Sequence, residues 1–153
     1  YHEKQARRTA DRLLRDHLAT EIDRSIKQFI QLEKKVLDGG KGLMHMSRTR
    51  EVKDKLQAYH DKVATAAPKY SGMFAQIKID ERDLDRMYAF DEAQFRFLAQ
   101  FDQTLDTLEK TIAGEGEKDL GEALDEVYAV ASRASDAFSL RDDEILRLGK
   151  GTL

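Results

Sequence analysis

Apolar residues recur every third or fourth position through each long segment of this chain, and a single proline, Pro68, interrupts its 153 residues. That spacing matches one face of an α-helix, and no stretch keeps the alternation a half-buried strand needs. Residues 3–38 read as one helix, with apolar positions from Ala6 and Ala10 through Leu14, Leu18, Ile22, Ile26 and Ile30 to Leu37. Their mean spacing is wider than a strict heptad, so the stripe drifts around a straight helix. Gly39 and Gly40 supply the stop.

Residues 38–47 read as a loop, after which Ser47 or Thr49 caps a second helix over 48–67. Its stripe is Val52, Leu56, Tyr59, Val63 and Ala66, and Pro68 breaks or kinks it before Tyr70, Met73, Phe74 and Ile77 resume helical spacing. The third helix begins at Asp80 with acids in its first turns, where the helix dipole favours them. Its apolar arc, from Leu84 through Phe101 to Ile112, is broad enough to predict the most buried element. Residues 118–138 form a fourth helix with an alanine-rich face. Ser139 and Asp142 resemble a capping pair opening a short C-terminal helix with Ile145 and Leu148. The predicted fold is all-α: an antiparallel four-helix bundle with two very long helices, a Pro-kinked second helix and a short C-terminal helix. Residues 1–153 form a single domain, a length able to bury a substantial core.

Charge is divided along this framework. Residues 1–79 carry 17 Lys/Arg against 10 Asp/Glu, and residues 80–153 carry 9 against 19, so the net −3 conceals a basic half and an acidic half. Such asymmetry points to electrostatic pairing inside the fold or with a partner. Recurrent acid-before-base pairs four residues apart, such as Asp23/Lys27 and Asp106/Lys110, assign much of the remaining charge to solvated helix faces.

Several chemistries are excluded or disfavoured. Without cysteine there is no disulfide, thiolate zinc site or Cys nucleophile. A ferritin-like di-metal centre needs Glu-x-x-His, and none of the four histidines has it. Met44-His45-Met46 offers soft donors, but the simpler reading packs the methionines onto the bundle end. Gly39-Gly40-Lys41-Gly42 and Gly149-Lys150-Gly151-Thr152 lack phosphate-loop spacing and read as helix stops. The basic half is laced with acids and its aromatics sit at core spacing, which argues against nucleic acid. No apolar run reaches the length of a membrane span, while peripheral membrane contact stays open. With Tyr1 in first place a targeting segment is not observable, and the cytoplasm is the default compartment.

The candidate ligand-binding residues are Asp91 and Gln94, because both fall inside the apolar arc of the third helix. A carboxylate there demands a partner. The structural alternative is a buried contact with an Arg or Lys from the basic half. His17 reads as a boundary histidine at the edge of the first stripe. No catalytic, metal-ligating or cofactor-binding residues are predicted. The expected function is a non-enzymatic helical interaction or assembly module with a protein partner or self-association. The alternative is a ligand-binding or sensor bundle with a pocket near Asp91 and Gln94. A cavity beside Asp91 favours the second reading; a filled core with an exposed apolar stripe favours the first.

Overall fold

The structure, a computed structural model, describes residues 2–40, 42–66, 81–115 and 119–151. These form four helices: α1 (His2–Asp38), α2 (Gly42–Thr65), α3 (Glu81–Ile112) and α4 (Leu120–Gly151). No strand occurs among the described residues. The fold is an all-α four-helix bundle, and consecutive helices run antiparallel. Around the bundle the order is α1, α2, α4, α3, so α1 faces α4, and α2 faces α3, across the diagonal. Arg48 near the start of α2 meets Asp125 near the start of α4, and Lys62 further on meets Ser135. His17 and Arg24 of α1 likewise meet Phe95 and Asp102 of α3. The α1/α3 and α2/α4 neighbours therefore lie parallel. Both hairpin turns, α1–α2 and α3–α4, lie at the same end of the bundle.

The helix ends have local causes. Gly39 and Gly40 leave α1, and the Gly42 amide donates to the Gly39 carbonyl at 3.1 Å, so α2 starts at once. Gly42 packs so closely on α1 that a Cβ there would lie 2.4 Å from the Leu37 carbonyl oxygen. Gly114, at φ 81°, ends α3 in the left-handed conformation. The Gly114 and Glu115 amides then satisfy the Thr111 and Lys110 carbonyls, a Schellman closure. Asp119 caps α4, accepting from the Glu122 amide at 2.7 Å.

Three expectations are corrected. The loop over 38–47 is cut short, because α2 already starts at Gly42, and Ser47 and Thr49 lie inside it; the Thr49 hydroxyl bonds the Met46 carbonyl of its own helix. No separate C-terminal helix forms, because α4 runs unbroken through Ser139 and Gly149 to Gly151. Phe138 and Arg141 continue its buried stripe, and the Ser139 hydroxyl is engaged by Lys62 instead of capping a helix start. The third helix is not the most buried. Tyr88 and Phe95 of α3 are 65% and 41% exposed, while Ala123, Leu124, Val127, Ala131, Ala134 and Phe138 of α4 are fully enclosed. Small residues let α4 approach its neighbours closely, whereas the apolar arc of α3 is wider than the packing of α1 and α4 covers. The expected kink at Pro68 and the turns at Tyr70–Ile77 lie outside the described residues, as do the side chains of Ala6, Ala10, Ile145 and Leu148.

The core joins Leu18, Ile22, Ile26 and Phe29 of α1 to Leu56 and Val63 of α2, Phe101 and Leu105 of α3, and Leu124 and Val127 of α4. Deleting such a side chain costs about 2–5 kcal/mol, so this contact set dominates stability. No described helix is long and apolar enough to cross a membrane.

Candidate functional site

Asp91 and Gln94 sit one turn apart on α3, and the structure brings both to the α4 side of the bundle. Gln94 is completely buried. Its amide oxygen accepts from the Tyr59 hydroxyl of α2, and its amide nitrogen donates to the Ala134 carbonyl of α4 at 3.3 Å. Three helices are thereby tied at one level. Tyr59 packs against Phe101, ring centroids 6.1 Å apart, and burial pushes its phenol above the ordinary tyrosine range. It stays a neutral donor, which is what Gln94 requires.

Asp91 accepts from the Arg141 Nε at 2.6 Å, and the side chain of Arg141 is only 1% exposed against 19% for Asp91. Arg141, this partner of Asp91, comes from α4, in the acidic half. Beside this pair, Lys62 of α2 donates to both the Ser135 and Ser139 hydroxyls at 2.8 Å and to the Ser135 carbonyl at 3.3 Å. These contacts make a polar belt across α2, α3 and α4. Sequence reasoning missed Arg141, Lys62 and the two serines. Arg141 carried a signal, since it lies three residues after Phe138 and seven after Ala134 on one stripe of α4.

The belt is filled. A recess of about 480 Å³ opens one turn away from it, lined by Arg86, Ala89, Phe90 and Glu144, with Arg86 and Glu144 paired at 3.0 Å across it. Neither Asp91 nor Gln94 lines it. A second, shallow groove of about 560 Å³ follows the α3/α4 seam, walled by Gln103, Thr104 and Thr107 and floored by Ala129 and Val130. His17 is exposed and leans on Phe95 at 5.9 Å, a boundary position. Met44 and Met46 do not pack onto the bundle end: they are 78% and 40% exposed. Among the described residues, no three His, Asp or Glu side chains converge as metal ligands.

Charged residues cross the parallel seams at Arg24–Asp102 and Arg48–Asp125. Arg48 is held most by Glu51 and also by Asp125, which together raise its affinity for the proton. On the surface of α2, hydrogen bonds from His60 and then Gln57 lower the Asp61 carboxyl below its ordinary range. The chain matches no protein-family model, no curated protein and no solved structure.

Proposed function

We propose that this bundle is a non-enzymatic interaction or assembly module. The observation that carries this reading is where its apolar surface lies. Leu43 and Met44 are 87% and 78% exposed beside one another, with Leu37 and Met46 also exposed at the same end. Grouped apolar side chains on a soluble surface mark contact sites more often than scattered ones do. The polar groups at Asp91 and Gln94, by contrast, spend hydrogen bonds on partners within the protein.

A ligand-binding role has one observation in its favour, the recess lined by Phe90 and the Arg86–Glu144 pair. Light scattering with native mass spectrometry on the purified chain separates the two. A mass above the monomer with no added small molecule supports assembly. A monomer carrying a stoichiometric small molecule overturns it in favour of the sensor reading.

A further inference from the structure

We infer that the hairpin end of the bundle is a self-docking surface, on which the end of α1 and start of α2 of one copy meet the end of α3 and start of α4 of a second copy about a two-fold axis. This rests on the assembly reading and names its partner and geometry.

The end is divided into two unlike halves. On the α1–α2 side, Leu37, Leu43, Met44 and Met46 are exposed among Lys34, Lys35 and Arg50, which are exposed too. These three cations form no ion pair with any described residue, unlike Arg48, which Glu51 and Asp125 occupy. On the α3–α4 side the exposed acids Glu109, Glu115 and Glu122 likewise form no ion pair with a described residue, while the exposed Lys110 beside them is taken by Asp106 at 3.1 Å. The Arg48–Asp125 contact puts both turns at one height, so the cationic, apolar half and the anionic half lie side by side.

A two-fold axis across the end, between the halves, sets each basic half on the partner's acidic half. The same contact is then made twice and the assembly closes at two copies, as isologous interfaces do. An anionic membrane fits less well, because the acidic turn would approach it at the same height as the basic one. The apolar element is presented in a fixed position. The close seating of Gly42 on Leu37 holds the start of α2 against α1, and Leu43 and Met44 stand in the first turn of a helix. Little ordering entropy is then lost on contact. The area is small: a four-helix end is about 20 Å across if each helix is about 10 Å wide. Stable complexes bury roughly 1,200–2,000 Å² in total, so this contact is weak and concentration-dependent.

Sedimentation velocity on the full chain over a concentration series tests the inference, at about 20 mM and about 500 mM NaCl, where screening differs strongly. The expected result is a monomer–dimer equilibrium that stops at the dimer and weakens at least tenfold in high salt. Leu43→Glu with Met44→Glu should weaken it by a similar factor, with an unchanged thermal melt. Lys34→Glu with Lys35→Glu should abolish association, as should Glu115→Lys with Glu122→Lys. Mixing these two charge-reversed proteins should restore a one-to-one dimer. A dimer that ignores all these changes leaves the assembly reading standing and overturns this surface. A strict monomer that pellets with phosphatidylserine-containing vesicles, and loses that on Leu43→Glu, assigns the tip to lipid and overturns self-docking. A strict monomer that binds no vesicle overturns the self-docking surface and removes the support for the assembly reading as well.

Discussion

Toward the hairpin turns the interior of the bundle is almost entirely apolar: Phe29, Leu32, Val52, Leu105, Leu108, Leu124 and Val127 fill it. Its buried Thr49 hydroxyl spends its hydrogen bond on its own helix. Toward the opposite end the interior holds Tyr59, Gln94, Arg141 and Asp91, bonded between helices. The dry half stabilises through transfer and dispersion, which tolerate some sliding of one helix along another. The polar half adds little net energy but admits few arrangements. Gln94 meets both Tyr59 and Ala134 only at one register of α2, α3 and α4. Any other register strands a buried amide or phenol at a cost of about 1–3 kcal/mol.

The contrast can be broken most severely from the dry side. Phe29→Ala, at a fully buried position, should lower stability by about 4 kcal/mol in urea unfolding, the usual range for losing a core phenylalanine. A loss below about 1 kcal/mol would mean that the dry half is loosely packed. Next comes Asp91→Ala, which takes the 2.6 Å carboxylate away from an enclosed guanidinium and should cost about 3 kcal/mol. The double change Asp91→Leu with Arg141→Met should recover most of that. If the double variant is as unstable as the single one, the pair is not what holds this half together.

Tyr59→Phe leaves the Gln94 oxygen without its donor and should cost about 2 kcal/mol; adding Gln94→Leu should return part of it in a double-mutant cycle. The same substitution sharpens the comparison by pH. The folded protein binds the Tyr59 proton more tightly than the unfolded chain, because burial raises its pKa above the ordinary 10.0. That contribution to stability is complete below pH 10 and declines as pH rises above it. Alkaline melts should therefore fall more steeply for the parent than for Tyr59→Phe. Parallel slopes would show that Tyr59 is not enclosed. The smallest effect belongs to the seam pairs: Arg48→Ala should cost about 0.5 kcal/mol at low salt and less in high salt, read from paired thermal melts.

Helix identity was legible because it rests on local spacing. The stop at Gly39–Gly40 was legible for the same reason, since glycine there releases the chain into a turn. Asp91 and Gln94 stood out as polar residues on an apolar arc, and both are partnered inside the bundle. What periodicity does not encode is which helix faces which. It shows the stripe on α4, but not that Arg141 on that stripe lies opposite Asp91. Capping signals misled for a related reason. Ser47, Thr49 and Ser139 have the right chemistry for a helix start, yet the apolar stripe of α4 continues past Ser139, and the close seating of Gly42 on Leu37 starts α2 ahead of Ser47.

The diagonal order of the helices has a kinetic meaning. Within the α1–α2 hairpin, Lys53 meets Glu33 across only 20 residues, whereas Arg48 meets Asp125 across 77 and Lys62 meets Ser135 across 73. Each hairpin can close over a short loop, but its docking on the other must wait for a much longer closure. The parallel seams are thus the last surfaces to zip and the first to open. Changes confined to them should hasten unfolding and leave the folding rate nearly untouched.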